Sequence, residues 1–592
     1  MRNQPVAISH HFTALSRIRL WYVCLLVVAG VFVVRLFYLQ VIRHDYYQTA
    51  ALTKQLKEYE VPASRGIIEA TSNGKTVPIV LNESKYTLFA DPIYVKDPKA
   101  AADAVARIIG GDANSYEAQL KTDNTRYVVL AKKLDKDKAE ALDKLELKGI
   151  GTREASYRTY PQGQLAAQLL GFVNDEGSGK YGLEEALDAQ LKGAPGQLKA
   201  ITDAQGVPLA SNKENIVIEP QQGDRVILTV DLGMQQQLED ALKSGLERAQ
   251  SKTGSALIIE VKTGAVKAVA NYPTYNPAEF FKTEDASVFN NAAVSAPLEV
   301  GSIMKPLTTA AALDLGVINK ETTYYDPGFF QIGDARVTNI EEAGGAATRS
   351  VADILQLSLN TGATWLLMQM GGGEINKQAR ERWYDYMTDH YGFGKPTGIE
   401  QGYEAGGSIP DPNEGFGLDI QYANAAFGQG MTATPLQMAA ALASAINGGT
   451  YFRPRLVEKI IRHDGVEKVV EPEIVRQDVV GARVSDDLRS LLEFAFSKNY
   501  MIYGMRNSHP EYSIGTKTGT AQVPKPEGGY YDDRFNGTFL GYIGGDTPQY
   551  VIVVRVNEPK IAGYAGSRAA GPIFSSVVEN LINNGNVTPK TN

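Results

Sequence analysis

The chain has one cysteine in 592 residues. Cys24 lies inside an apolar run, so an intrachain disulfide and a cysteine zinc site are both excluded. Histidine is scarce as well: there are six, scattered without metal-ligand spacing. That argues against a metalloenzyme and against a Ser-His-Asp triad. Basic tracts are missing, and the net charge of −8 is spread along the chain, so nucleic acid is not an expected partner. Neither a metal nor any other cofactor is called for. What remains is a long chain, enough for about three or four domains with ample core.

One apolar stretch stands out. Leu20 to Val34 is uncharged, Arg35 interrupts it, and it resumes as Leu36-Phe37-Tyr38-Leu39-Gln40-Val41-Ile42. The uncharged part falls short of the usual membrane span of about 18 to 20 residues. Arg35 near one end can snorkel and let the span extend to about residue 41. No small-x-small cleavage site accompanies it and the preceding tail is long, which favours an uncleaved signal anchor over a cleaved signal peptide or a buried helix. Arg17 and Arg19 place the N-terminus inside and the rest of the chain outside, with Arg35 and Arg43 opposing. The expected layout is a cytoplasmic tail at 1–19, a single transmembrane anchor at 20–42, an accessory α+β pedestal at 43–222 and an extracytoplasmic catalytic domain at 223–592.

The pedestal is Gly-punctuated and shows no catalytic spacing. It carries Ser64-Arg65-Gly66, a charged stretch from Lys132 to Leu147 that reads as helical, Tyr157-Arg158-Thr159-Tyr160-Pro161 and Gly182-Leu183-Glu184. From Arg225 the texture changes. Val226 to Val230 reads as a strand and Gln235 to Ala249 as an amphipathic helix. Two apolar runs flank Lys262-Thr263-Gly264 as a β-hairpin. Val351 to Met370 and Pro435 to Ile446 read as helices. Thr538 to Tyr542 and Tyr550 to Val556 read as strands, and Pro572 to Ile582 as a last helix. Strands first and last around a helical middle predict an α/β layered domain whose sheet is completed by both ends of the chain.

Within that domain, Gly301-Ser302-Ile303-Met304-Lys305-Pro306 opens an Ala-rich helix that Gly316 stops. Ser and Lys three residues apart share one helix face. Free N–H groups and the positive dipole end favour negative charge developing near Ser302. The Lys305 amine can take the hydroxyl proton if burial or nearby cations lower its pKa. Two further short motifs follow in order: Ser358-Leu359-Asn360, on the predicted helix, and Lys517-Thr518-Gly519-Thr520, on a strand whose glycines permit close approach of a ligand. Each motif has decoys. Ser72 to Lys75 is turn-like, Ser497-Lys498-Asn499 is a helix end, Lys262 sits in a hairpin turn and Lys252 precedes a strand.

Ser-x-x-Lys, Ser-x-Asn and Lys-Thr-Gly in this order are the signature of penicillin-binding proteins and class A β-lactamases; the wide spacing suits the former. The chain resembles a class B penicillin-binding protein, a monofunctional peptidoglycan D,D-transpeptidase, along nearly its whole length. Further matches are Arg65-Gly66, Gly182-Leu183-Glu184, Tyr391-Gly392-Phe393-Gly394, Thr397-Gly398-Ile399, Phe427-Gly428-Gln429-Gly430 and Thr434-Pro435-Leu436-Gln437. The resemblance implies a penicillin-binding/β-lactamase-like domain, an antiparallel sheet with helices plus an all-helical lobe. It implies Ser302 as nucleophile toward D-Ala–D-Ala, Lys305 as general base, Ser358 as proton relay and Asn360 as a holder of Lys305 and the substrate amide. Lys517 would supply positive potential and lower the pKa of Lys305, while Thr518 and Thr520, beside Gly519, would bind the substrate carboxylate. The Ser302 and Thr520 N–H groups would form an oxyanion hole, worth about 3 to 4 kcal/mol per donor. The implied partners are donor and acceptor stem peptides, β-lactams, the membrane, a polytopic glycosyltransferase and other divisome proteins.

Two departures stand out: Val300 where the family usually has Pro, and Glu69 to Gly74 where the pedestal usually reads Asp-Arg-x-Gly. The acidic signature of a glycosyltransferase domain is missing, which argues against a bifunctional class A enzyme. The division type fits better than the elongation type. A β-lactam sensor, a β-lactamase, a D,D-carboxypeptidase and a divisome scaffold with secondary catalysis stay open as alternatives.

Overall fold

The computed structural model describes residues 14–47, 56–123, 125–201, 216–340 and 344–591. Most of the predicted N-terminal tail lies outside them. The apolar stretch forms the helix Ala14–Phe37, which widens into a π turn over Tyr38–Ile42. Among the described residues one helix, Ile18–Ile42, is long and apolar enough to cross a membrane. Arg43 donates from Nε to the Tyr38 hydroxyl (2.8 Å) and the Arg35 guanidinium lies over the Tyr38 ring, a grouping suited to a membrane interface. With this helix the chain groups a small antiparallel sheet, Leu56–Val61, Gly196–Ile201 and Ile216–Ile218.

The second compact unit takes Ser64–Gly193 and Gln222–Asn592. At its centre is a five-stranded antiparallel sheet in the order Val266–Tyr272, Thr253–Glu260, Pro548–Asn557, Tyr530–Gly544, Ser513–Pro524. Strands from 253–272 and 513–557 therefore meet in one sheet, as the strand pattern implied, but the first predicted strand, within Arg225–Asp231, joins the pedestal sheet instead. The strands are buried on both faces, and their alternation sorts side chains between two helical layers. Ala256, Ile258, Ile552 and Val554 pack with helices Leu232–Ala249 and Gly571–Asn583. Leu257, Ile259, Val551 and Val553 join a core with helices Lys305–Asp314 and Pro435–Ile446. Thr434 and Gln437 form a reciprocal capping box that starts the latter helix, so this motif is architectural.

A seven-stranded sheet carries the pedestal. Its strand Ile68–Ser72 runs parallel to Arg225–Asp231, so pedestal and catalytic region share backbone pairing. The stretch from Lys132 to Leu147 is not one helix. Val128–Leu134 is a strand on Lys75–Ala90, and only Lys136–Asp143 is helical. The apolar Val128-Val129-Leu130 run sets the strand, and pairing overrides the charged residues' helical bias.

Three pedestal residues far apart in sequence meet in a buried ion cluster. Glu184 is fully buried and accepts from Arg65 Nε (2.7 Å) and from Arg158 Nε (2.8 Å). Arg158 also donates to Asn82 Oδ1 (2.8 Å). Removing the carboxylate strands Arg158 and leaves Arg65 with Asp188 as its remaining ion partner (2.7 Å). Glu184→Ala should therefore cost about 3 to 5 kcal/mol, read as a lowered denaturant midpoint; an unchanged midpoint would show that water reaches the cluster.

Candidate active site

Gly301–Met304 forms a 3-10 turn that leads directly into helix Lys305–Asp314. The turn is held from both sides. The Gly301 N–H donates to Gly428 O (2.9 Å), and the Thr538 hydroxyl donates to Val300 O (2.8 Å). Gly301 has φ +65°, and a Cβ there would stand 2.9 Å from the Thr520 carbonyl oxygen. A Cβ on Gly519 would come within 2.2 Å of Thr538 Oγ1 and 2.9 Å of Val300 O. Both glycines thus let the Ser302 turn press against Ser513–Pro524, the edge strand of the sheet. Val300, where the family has Pro, is fully buried and still delivers its carbonyl to Thr538.

Lys305 is fully buried, and its Nζ has four oxygen partners. These are Ser302 Oγ (2.7 Å), Ser358 O (2.7 Å), Ser358 Oγ (3.1 Å) and Asn360 Oδ1 (2.8 Å). Two of them, the Ser358 carbonyl and Asn360 Oδ1, can only accept. A neutral amine has two N–H bonds and a lone pair. It can give both N–H bonds to those acceptors and turn the lone pair to a hydroxyl, with Ser302 Oγ nearest. Burial, and then the charge of Lys517, hold the Lys305 pKa well below that of an ordinary lysine.

Ser358 does not lie on a continuous helix. The predicted Val351–Met370 helix is broken into Val351–Gln356 and Asn360–Met370, with Ser358 in the gap at φ +59°. The left-handed residue reverses the chain, so that Ser358 O and Oγ and Asn360 Oδ1 all face the same amine. Ser358 Oγ also accepts from Lys517 Nζ (2.9 Å). It therefore bridges the two lysines. Lys517 is buried, with its pKa pushed down to about 7 by that burial; its Nζ also donates to Thr518 O (2.9 Å). Thr520 Oγ1 accepts from the Gly566 N–H (3.1 Å) and keeps its own proton to donate.

The structure brings Ser302, Lys305, Ser358, Asn360 and Lys517 into one hydrogen-bonded chain, with Gly519 and Thr520 against the Ser302 turn and Thr518 beside Lys517. The decoys stay outside it. Ser72 and Lys75 pair across the turn at Asn73 and Gly74, and Lys252, Lys262 and Ser497 are exposed.

Sequence reasoning missed the supports behind the motifs. Asn360 Nδ2 donates to Thr338 O (3.0 Å), which aims Oδ1 at Lys305. Behind it the fully buried Asp326 carboxylate accepts from Thr361 Oγ1 (2.7 Å) and Asn339 Nδ2 (3.0 Å). Beside the nucleophile, Glu299 Oε1 accepts from the Tyr530 hydroxyl (2.8 Å) and the Gly430 N–H (3.0 Å). Asp326, Thr338, Asn339 and Tyr530 have no fixed spacing from the motifs; Thr361, next to Asn360, and Glu299, three residues before Ser302, were the local cues.

The penicillin binding protein transpeptidase domain family matches residues 254–579, and the penicillin-binding protein dimerisation domain matches residues 60–228. The chain belongs to the penicillin-binding protein transpeptidase family. Stage V sporulation protein D of Bacillus subtilis is 30% identical over 87% of this chain and 78% of its own. Peptidoglycan D,D-transpeptidase FtsI of Escherichia coli K12 is 26% identical over 96% of this chain and 91% of its own. Penicillin-binding protein 3 of Mycobacterium tuberculosis, solved with aztreonam, superposes with a TM-score of 0.67 at 24% identity, covering 90% of this chain and 98% of that one. A transpeptidase domain behind a dimerisation domain and one N-terminal apolar helix makes this a class B penicillin-binding protein, a serine-type transpeptidase of the division-protein type.

Proposed function

We propose that Ser302 attacks the D-Ala–D-Ala carbonyl of a peptidoglycan stem peptide, with Lys305 taking the hydroxyl proton. The observation that carries this is the Lys305 amine at 2.7 Å from Ser302 Oγ, with two obligate acceptors already claiming its N–H bonds. The new C–O bond forms as the proton moves to Lys305. The tetrahedral oxyanion would lie between the Ser302 and Thr520 N–H groups. Collapse breaks the amide bond, and a proton passed through Ser358 lets D-Ala leave as a neutral amine. Lys517, Thr518 and Thr520 bind the terminal carboxylate, and Asn360 holds Lys305 and the substrate amide. An amine from a second stem peptide then attacks the acyl-serine and closes the cross-link. β-Lactams, which present the same carbonyl beside a carboxylate, stop at the acyl-enzyme.

The setting we propose is septal wall synthesis, supported by the likeness to FtsI and to the PbpB proteins. The N-terminus would be cytoplasmic and residues 43–222 and 223–592 would work outside the membrane as pedestal and transpeptidase. A polytopic glycosyltransferase would sit beside the anchor with other divisome proteins. The test is a thioester donor ending in D-Ala with a D-amino acid as acceptor. Aminolysis outrunning hydrolysis supports the transpeptidase; hydrolysis alone points to a carboxypeptidase. Depletion should give filaments, whereas rounded cells would assign the chain to elongation.

The two lysines make the reaction pH-dependent in both directions. Lys305 must be neutral to accept a proton, and Lys517 must be charged to hold a carboxylate. Lys305 feels both burial and the neighbouring charge, Lys517 burial alone, so Lys305 gives up its proton first as pH rises. The second-order acylation rate with benzylpenicillin should be bell-shaped, its falling limb centred at about 7 in the free chain as Lys517 loses its charge. The limbs of this rate constant report free-enzyme groups, and the penicillin carboxylate stays ionised throughout. A rate still climbing two pH units above that limb would rule out the charge requirement at Lys517.

A further inference from the structure

Glu299 ties together elements that meet at Ser302. It stands three residues before the nucleophile, and its Oε1 accepts twice, from the Tyr530 hydroxyl (2.8 Å) and from the Gly430 N–H (3.0 Å). Its Oε2 is closed to solvent and has no hydrogen-bond partner. One oxygen therefore makes all the hydrogen bonds of this carboxyl group. An ionised carboxylate left half unpaired is costly, and burial raises the Glu299 pKa above that of an ordinary glutamate. The backbone is anchored independently of the side chain: Leu298 pairs with Ala433, and Val300 O accepts from the Thr538 hydroxyl (2.8 Å). What the side chain adds is its hold on Tyr530 and Gly430.

Both partners lie at margins of the fold. Strand Tyr530–Gly544 pairs on both sides from Asn536 onward, with Ser513–Pro524 and with Pro548–Asn557. From Tyr530 to Phe535 it pairs, among the described residues, with Ser513–Pro524 alone. The far end of the Lys-Thr-Gly hairpin thus leaves the sheet, and its turn, Pro526 to Gly529, is exposed. Arg534 binds Glu558 (2.6 Å) nearer the sheet; the bond from Tyr530 to Glu299 ties the hairpin further out. Gly430 borders a cleft of about 570 Å³ lined by Asp411, Phe416, Ile420 and Asn424, so packing from that side does not hold it. The Thr520 N–H belongs to the hairpin, and the Ser302 N–H to the turn that Glu299 precedes. Two residues before Gly430, Gly428 O receives the Gly301 N–H (2.9 Å). The Glu299 carboxyl thus links the two halves of the oxyanion site with the loop that holds the turn.

We propose that Glu299 is a positioning residue for acylation, holding the Lys-Thr-Gly hairpin and the Gly428 to Gly430 loop against the Ser302 turn through a single accepting oxygen. It keeps the Thr520 and Ser302 N–H groups aligned on the carbonyl that Ser302 attacks. Its part is that of a double acceptor, and its charge is not needed: an amide at this position presents the same oxygen, with its nitrogen where Oε2 bonds nothing. The proposal rests on the reading that Ser302 is the acylated serine.

The test uses the full chain in detergent. The benzylpenicillin adduct of the wild type is first mapped by peptide mass; an adduct away from Ser302 would overturn that reading, and the proposal with it, before any variant is compared. Stopped-flow acylation up to saturating benzylpenicillin then separates its dissociation constant from the first-order acylation constant. Tyr530→Phe should lower the acylation constant about five-fold, the scale of one hydrogen bond. Glu299→Ala should lower it by about 10- to 100-fold, the scale of a small displacement at a reacting centre. The dissociation constant should stay unchanged in both, because Lys517, Thr518 and Thr520 still receive the carboxylate. Glu299→Gln should restore the wild-type acylation constant, and Tyr530→Phe on the Glu299→Ala background should add nothing. Losses that add across the pair, a Glu299→Gln variant as slow as Glu299→Ala, or a change confined to the dissociation constant would each overturn the proposal. So would an unchanged acylation constant in Tyr530→Phe, which removes one hydroxyl and gives its answer however Glu299→Ala folds.

Discussion

Ser302→Ala should bring covalent labelling by a fluorescent penicillin to background while the chain melts at its wild-type temperature. The side chain is half-buried, so its loss opens no cavity of consequence. What disappears is the hydroxyl at 2.7 Å from the Lys305 amine. Another hydroxyl near that amine is Ser358, at 3.1 Å, and it cannot take over. Its Oγ already accepts from Lys517, and its backbone is fixed in the left-handed region by the helix break. Intact mass after benzylpenicillin should show one adduct on the wild type, mapping to the Ser302 peptide, and none on the variant. An adduct that persists on the variant and maps to Ser358 would reverse the assignment of nucleophile and relay. Turnover without any adduct on the wild type would make the chain a β-lactamase.

The difference between these two serines shows what the sequence could and could not disclose. The pairing of Ser302 with Lys305 is set by helical periodicity, a local property, and is legible from spacing alone. So is the hairpin around Gly264, and so is the helix that Thr434 and Gln437 cap. The break at Ser358 is different. Val351 to Met370 reads as one apolar helix, and only Ser358, Asn360 and Thr361, whose side chains prefer to bond nearby backbone, with the weak helix former Gly362, hint at the interruption. The break persists because the bonds made across it, to Lys305 and Lys517, are tertiary. The same holds for Glu184, whose partners Arg65 and Arg158 lie on other strands and loops, and for Asp326, which reaches Asn360 only through Thr361, Asn339 and Thr338 at the end of strand Ala335–Thr338. Motifs mark the atoms that meet the substrate; the residues that aim those atoms carry no spacing rule, because the fold brings them from anywhere.

Lys305→Ala should lower the second-order acylation rate by about 10² to 10⁴, the usual contribution of a general base. The variant keeps Ser302, so the adduct should still reach full stoichiometry at long times, which separates a slow enzyme from an unfolded one. Removing the amine leaves the Ser358 carbonyl and Asn360 Oδ1 without their donor, and a destabilisation of about 1 to 3 kcal/mol per unsatisfied group accompanies the kinetic loss. Stability alone cannot imitate the second signature. Without Lys305 the rising limb of the pH profile disappears, while the falling limb set by Lys517 remains. Lys517→Ala should do the reverse, with a comparable loss in rate. Lys75→Ala, Lys252→Ala and Lys262→Ala, all on exposed side chains remote from the cluster, should acylate at the wild-type rate. A Lys305→Ala variant that keeps the rising limb would place the base elsewhere, and a large loss at Lys262 would move the Lys-Thr-Gly function from the edge strand to the hairpin turn.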